Sequence, residues 1–273
     1  MAARWLSPLT TFNRFVLKDS GTSRLARGLA YGGHRRQQLD LYAPRRPSAR
    51  PLPIVFFFYG GSWASGLRQG YSFVGRALAA RGFLVAVPDY RLVPEVHFPA
   101  FVEDGAAAVK WVIDHAGEHN GDPDSVVLIG HSAGAYIAGM LALDPQWLGR
   151  ARSAVSGLVG LAGPYDFLPL SGRATQAAFG QAGDLAATQP VRFASAEAPP
   201  ALLLHGGADR TVRPRNSKNL ARALAAAGAD ARLKIYPSLG HVAILTAMAL
   251  PFRYRAPVLA DAVAFAREVT GRG

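Results

Sequence analysis

The chain contains no cysteine. This absence excludes a disulfide, a thiol nucleophile and a thiolate metal site, and it is compatible with the cytoplasm, where we expect the protein to act. Long apolar runs are also missing, and none approaches the roughly 20 residues that a membrane-spanning helix needs. The first eight residues have no apolar stretch behind their charged residue, so we expect neither a membrane span nor a signal peptide.

Acidic residues are scarce, with 18 against 30 basic residues, which gives a formal net charge of +12. The basic residues are mostly arginines and are scattered, and the tightest groups are Arg35-Arg36, Arg45-Arg46 and the segment from Arg210 to Arg215. No nucleic-acid-binding motif accompanies them, so we interpret them as solvated surface charge and expect no nucleic-acid partner. A basic surface can still favour anionic substrates through its long-range field.

What the chain does contain is a regular alternation of predicted strands and helices. Its 273 residues, half of them hydrophobic, suit one domain with a substantial core. Apolar runs predict buried strands at 53–59, 83–87, 125–129 and 201–205, and the alternating segment 37–42 predicts an edge strand. Further strands are predicted at 157–161 and 232–236. Helical spacing or composition predicts helices at 73–81, 99–119, 135–143, 215–227 and 256–269. This order predicts an α/β fold with a doubly wound, mostly parallel sheet. Residues 1–30 are interpreted as an irregular, partly helical extension, and 165–199 as a small cap.

The pentapeptide Gly130-His131-Ser132-Ala133-Gly134 has the pattern Gly-x-Ser-x-Gly between a predicted buried strand and a predicted helix. In that context the pattern indicates a nucleophile elbow, a tight turn that presents a serine hydroxyl at the edge of the sheet. Glycines flank the serine because a Cβ there would collide with neighbouring backbone. The following helix directs its free N–H groups at the serine, where negative charge would develop.

A serine nucleophile needs a base and a carboxylate, which on this type of fold follow it in the order acid, then histidine. Asp209 and His241 meet this demand, because each follows a predicted strand. Asp166 is an alternative acid, although a turn or helix-capping role is the favoured interpretation of it. The remaining histidines are interpreted as packing, structural or out of order: His34, His97, His115, His119, His131 and His205. No histidine pair has metal-ligand spacing, so we expect no metal site.

The segment Tyr59-Gly60-Gly61-Ser62-Trp63 follows a predicted central strand. Paired glycines let backbone N–H groups approach a substrate oxygen, so we predict an oxyanion hole formed by the amides of Gly61 or Ser62 and of Ala133.

Taken together, these residues resemble the α/β-hydrolase superfamily, and within it the carboxylesterases related to hormone-sensitive lipase and the feruloyl-esterase-like BD-FAE branch. The resemblance extends over 37–270 and rests further on the segments 38–42, 89–95 and 98–104. It implies Ser132 as nucleophile, Asp209 as acid and His241 as base.

The resemblance also implies that Gly60, Gly61 and Ser62 form the oxyanion loop. Asp89, Arg91 and Asp104 are similar to the family's charged network, and we expect Arg91 to pair with a carboxylate beneath the site. One departure is Tyr59, because the family's oxyanion motif usually begins His-Gly-Gly.

The sequence thus predicts a serine esterase that cleaves short-chain or aryl carboxylic esters without a cofactor. We expect Tyr59, Trp63 and His131 to contact a small-molecule ester or amide substrate. An arylformamidase or amidase using the same machinery is one alternative, and a non-catalytic binding protein with this fold is another.

Overall fold

The computed structural model describes residues 8–272, which form an eight-stranded sheet with helices on both faces. The strands are β1 (Thr22–Ala30), β2 (Gln38–Pro44), β3 (Leu52–Phe58), β4 (Leu84–Pro88), β5 (Gly121–His131), β6 (Val155–Leu161), β7 (Ala201–Gly206) and β8 (Ala231–Tyr236). Their order across the sheet is β1-β2-β4-β3-β5-β6-β7-β8. The last six strands in this order, which are β4, β3, β5, β6, β7 and β8, are parallel to one another. Strands β1 and β2 run antiparallel to their neighbours.

Nine helices are described: α1 (Pro8–Phe15), α2 (Ser72–Ala79), α3 (Ala100–Asp114), α4 (Ala133–Leu143), α5 (Pro145–Leu148), α6 (Arg173–Phe179), α7 (Arg215–Ala226), α8 (His241–Thr246) and α9 (Val258–Val269). Helices α3 and α4 pack against each other, α2 contacts β2, β4 and α9, and α7 contacts β7 and β8. The central strand β3 and all of α4 are buried, which explains why neither shows a polar face in the sequence. The predicted α/β architecture is confirmed. None of the helices between residues 8 and 272 combines the length and apolar character needed to span a bilayer.

The start of the chain differs from the prediction. Residues 22–30, expected to be irregular, form β1, and β2 pairs with both β1 and β4, so the predicted edge strand lies inside the sheet. The pairing register of β1 shifts at two places, and such bulges interrupt the two-residue alternation by which a strand is recognised in sequence. Residues 1–7 of the predicted extension lie outside the described part.

Other predicted elements differ mainly at their ends. The helix expected at 99–119 is α3 followed by a 3₁₀ turn at Ala116–His119, and the strand before the elbow starts four residues earlier than expected. The segment 165–199 contains only α6 and two short 3₁₀ turns, and the cap remains a prediction.

The topology explains where a site can form. In a parallel sheet all strands end at the same edge, and the loops there gather residues that are distant in sequence. Strands β3, β5, β7 and β8 end at residues 58, 131, 206 and 236. The oxyanion segment, Ser132, Asp209 and His241 each follow one of these ends.

Candidate active site

Ser132 lies between β5 and α4 in a backbone conformation that side chains rarely adopt, with φ 55° and ψ −123°. The flanking glycines permit it, because a Cβ on Gly130 would lie 2.2 Å from the carbonyl oxygen of Gly134. A Cβ on Gly134 would lie 2.1 Å from the carbonyl oxygen of Phe58. The Ser132 N–H donates to the carbonyl of Leu161, which fixes the turn to the neighbouring strand. The local geometry is that of the predicted elbow.

The structure brings Ser132, His241 and Asp209 together in one chain of hydrogen bonds. His241 Nε2 lies 2.8 Å from Ser132 Oγ, and His241 Nδ1 lies 2.7 Å from Asp209 Oδ2. A carboxylate can only accept, so Nδ1 carries the proton and Nε2 is free to accept one from the serine. The alternative acid Asp166 instead accepts from Asn219 Nδ2 at 2.6 Å.

Asp209 is held as a carboxylate by its surroundings. Burial alone would raise its pKa, but hydrogen bonds from His205 and His241 and the backbone N–H of Val212 bring the pKa well below its usual range. His205 in turn is buried, with Nδ1 2.7 Å from Ser217 Oγ and Nε2 2.8 Å from the carbonyl oxygen of Val212. The acid is therefore ionised and oriented before any substrate arrives.

His131, the residue before the serine, holds the backbone of His241. Its Nε2 donates to the His241 carbonyl oxygen at 2.9 Å, and its Nδ1 has no partner among the described residues. Burial, and then the nearby His241, lower the pKa of His131 to about 3, so the ring stays neutral at physiological pH. We expected His131 to contact substrate, but the ring is absent from the lining of the cavity at Ser132 and packs against the His241 ring instead, with centroids 4.9 Å apart. That expectation is wrong, because the ring lies between Gly60 and His241.

The loop after β3 faces the serine with unused backbone donors. Gly61, Ser62 and Trp63 have φ values of 135°, 53° and 56°, which turn the peptide planes sharply. The N–H groups of Gly61, Ser62 and Ala133 make no hydrogen bond to any described residue. A Cβ on Gly60 would lie 2.8 Å from Ser132 Cβ, so only glycine allows this approach. These donors are available to a substrate oxygen.

Tyr59 does not contact substrate either, which corrects the prediction. Its side chain is fully buried, and the ring stacks against Tyr71 and Tyr90 with centroids 4.9 Å away in both cases. Its hydroxyl donates to Asp89 Oδ1 at 2.6 Å and accepts from Arg36 Nη2 at 2.9 Å. Tyr59 therefore fixes the start of the loop through buried contacts.

Asp89, Arg91 and Asp104, which the resemblance groups in one charged network, belong to two separate networks. Arg91 binds Asp104, with Nε 2.9 Å from the carboxylate, which confirms the expected pairing of Arg91 with a carboxylate. Asp89 belongs to the other network, where Arg68 Nη1 lies 2.5 Å from its carboxylate.

Arg68 also binds Asp40 at 2.8 Å. Arg36, interpreted as surface charge, is 6% exposed and donates to the carbonyls of Tyr90 and Gly66. Sequence reasoning missed Arg36, Arg68 and Asp40, because nothing in their local pattern distinguishes a buried arginine from an exposed one.

A cavity of about 320 Å³ opens at Ser132. It is lined by the loop after β3 and by parts of 164–175 and 210–216. Trp63 lines the cavity and belongs to an aromatic cluster. Its ring makes edge contacts with Phe179 and Tyr136, with centroid distances of 4.8 and 5.4 Å. Trp63 is thus the one predicted substrate contact that the cavity retains. Among residues 8–272, no group of three or more histidine, aspartate or glutamate side chains is placed to hold a metal ion.

Curated relatives of the chain are named as esterases. A probable isoprenylcysteine α-carbonyl methylesterase of Arabidopsis thaliana is 32% identical over 81% of this chain and 58% of its own length. Esterase LipC of Mycobacterium tuberculosis is 28% identical over 73% of this chain and 55% of its own length. The chain thus spans little more than half the length of these curated relatives.

Solved structures share the fold at low sequence identity. Esterase B from Lactobacillus rhamnosis, inhibited by a tributyrin phosphonate, has a TM-score of 0.83 at 20% identity, covering 97% of this chain and 91% of its own. A truncated carbohydrate esterase from gut microbiota has a TM-score of 0.79 at 22% identity, covering 92% and 97%. Both support the α/β-hydrolase fold. The BD-FAE family profile matches residues 39–224, which is more than half of the chain, and the chain therefore belongs to the BD-FAE family.

Proposed function

We propose that the protein is a serine esterase that hydrolyses short-chain or aryl carboxylic esters through an acyl-enzyme. The observation that carries this proposal is the continuous hydrogen-bonded chain from Asp209 through His241 to Ser132, with contacts of 2.7 and 2.8 Å. Family membership and the esterase names of the relatives support the same reaction class.

The roles follow from the donors and acceptors. His241 Nε2 takes the hydroxyl proton as Ser132 Oγ attacks the ester carbonyl, and Asp209 stabilises the imidazolium that forms. The N–H groups of Gly61, Ser62 and Ala133 donate to the oxyanion of the tetrahedral intermediate. His241 then protonates the leaving alkoxide. Water attacks the acyl-serine with the same histidine as base, which releases the acid and regenerates the serine.

Both alternatives from the sequence lack a supporting observation. The relatives described above are named esterases and give no support to an arylformamidase or amidase. A non-catalytic binding protein would not need an ionised, oriented acid behind a histidine that contacts the serine. The isoprenylcysteine substrate belongs to the named relatives, and our proposal is limited to the reaction class. The cytoplasmic location and the absence of a cofactor and of a nucleic-acid partner remain predictions.

The test combines labelling with turnover. Wild-type protein should react with a fluorophosphonate probe and hydrolyse p-nitrophenyl butyrate. Ser132→Ala should abolish labelling and lower kcat by about 10⁴-fold or more. Ser171→Ala is a matched control, because Ser171 also lines the cavity and has no part in the hydrogen-bonded chain. Rapid deformylation of N-formylkynurenine with little ester turnover would instead favour the formamidase, and labelling that survives Ser132→Ala would refute the proposal.

A further inference from the structure

The segment 210–216 places three arginines at the cavity. Arg210, Arg213 and Arg215 all belong to its lining, together with Ser132. All three are exposed, and none makes an ion pair or a side-chain hydrogen bond within the part of the chain that the structure describes. Of the described residues that line this cavity, none is acidic. The charged residues in the lining of this cavity are therefore all positive.

Neither Asp209, which directly precedes Arg210 in sequence, nor Asp166 forms an ion pair with these arginines. Asp209 is buried and committed to His241 and His205. Asp166 accepts from Asn219 on α7 and forms no ion pair with a described residue. Three guanidinium groups thus remain free beside a site whose own carboxylate is already paired.

The position of two of these arginines is unfavourable for the fold itself. Arg215 begins α7 and Arg213 lies two residues before it, at the helix end where the dipole is positive. The first turn of α7 contains no acidic residue, and its N-cap makes no side-chain hydrogen bond. Helices usually place acidic or capping side chains at this end, so arginines here do not serve helix stability.

We propose that the substrate of this esterase is itself an anion, namely an ester that carries a carboxylate or phosphate beside the bond that is cleaved. The three arginines would bind that group while the scissile carbonyl lies against Ser132. Arginine suits this role, because its planar donors match a carboxylate or a phosphate in two-point contacts. The cavity volume of about 320 Å³ suits a small ester. The proposal rests on the proposed esterase function.

Matched substrate pairs test the proposal. On the acyl side, mono-p-nitrophenyl adipate is compared with p-nitrophenyl hexanoate. On the alcohol side, 3-carboxyphenyl acetate is compared with 3-carbamoylphenyl acetate. The measured quantity is the ratio of kcat/KM for the charged member to kcat/KM for the neutral member, after subtraction of the enzyme-free rate. The two pairs distinguish an anion on the acid from one on the alcohol.

Replacing all three arginines by glutamine should lower this ratio about tenfold in at least one pair. Exposed ion pairs each change an equilibrium by roughly 1.4- to 5-fold, so three convergent charges give an effect of this order. The corresponding triple lysine variant should keep most of the preference, because it keeps the charge. The wild-type preference should also fall between about 20 mM and 0.5 M salt, because salt screens exposed charges.

Arg222→Gln is the matched control. Arg222 lies seven residues after Arg215 on the same helix, is exposed, and is absent from the cavity lining. The Arg222→Gln substitution removes one positive charge from α7 and should leave the charged-to-neutral ratio of kcat/KM unchanged. A ratio that changes less than twofold in both substrate pairs of the triple glutamine variant would overturn the proposal. A change of the same size in Arg222→Gln would also overturn it. Ser132-dependent hydrolysis of the neutral esters would then still stand, whereas its absence would overturn the esterase proposal as well.

Discussion

His131 makes the stability of the protein depend on pH in a way that can be calculated. The ring is buried and neutral, because burial and then the nearby His241 lower its pKa from the ordinary histidine value of 6.5 to about 3. A pKa that is lower in the folded state means that the unfolded chain binds the extra proton more readily. The contribution of His131 to stability is therefore fully present above pH 6.5 and is lost as the pH falls from 6.5 toward 3.

The size of the effect follows from that difference. Between pH 7 and pH 5 the protonated fraction of this residue in the unfolded chain rises from about one quarter to nearly one, while the folded chain gains almost no proton there. At 1.36 kcal/mol per pH unit for a full proton, integration over this interval lowers the free energy of unfolding by about 2 kcal/mol. Asp209 does not interfere, because its lowered pKa affects stability only as the pH falls through the range in which unfolded aspartates are protonated, near pH 4 and below.

The perturbation is His131→Gln, which removes the titrating ring and keeps an N–H donor for the carbonyl of His241. Urea unfolding followed by circular dichroism at pH 7.0, 6.0 and 5.0 gives the free energy of unfolding of both proteins. The wild type should lose about 2 kcal/mol more than the variant over this interval. Gly139→Ala is the control for altered packing, because its Cβ would meet Tyr165 at an ordinary 3.4 Å and no titratable group is lost. Parallel pH profiles of wild type and His131→Gln would refute the assignment of a buried neutral ring.

Two further predictions concern the loop that faces the serine. Gly60→Ala places a Cβ 2.8 Å from Ser132 Cβ, so we expect kcat/KM for p-nitrophenyl butyrate to fall about 10- to 100-fold. Gly33→Ala, whose Cβ meets open space, should not change it, and full activity of Gly60→Ala would contradict the described approach. Tyr59→Phe removes the hydroxyl that donates to buried Asp89, and the free energy of unfolding should fall by about 1 to 3 kcal/mol in urea titrations. An unchanged unfolding midpoint would show that this hydrogen bond contributes no net stability.

Much of this architecture was readable from local pattern. Buried parallel strands are continuous apolar runs, and β3, β5 and β7 were placed for that reason. The elbow was equally readable from its pentapeptide, and Gly130 is demanded by the backbone of Gly134 four residues later. Gly134 is demanded by the carbonyl of Phe58, which only the fold brings beside it. β1 was not readable, since its two register shifts erase the alternation that would have marked it.

The candidate site divides in the same way. The sequence by itself determined which residues could act, because Ser132, Asp209 and His241 each follow a strand whose end lies at one edge of the sheet. Only the tertiary structure decided that Tyr59 and His131 point into the protein rather than into the cavity. Burial of a polar side chain depends on partners that are distant in sequence, as Arg36 and Asp89 are for Tyr59, and no local pattern encodes those partners. The same holds for the arginines of 210–215, whose charge the sequence displays but whose place in the lining of the cavity at Ser132 is a property of the fold.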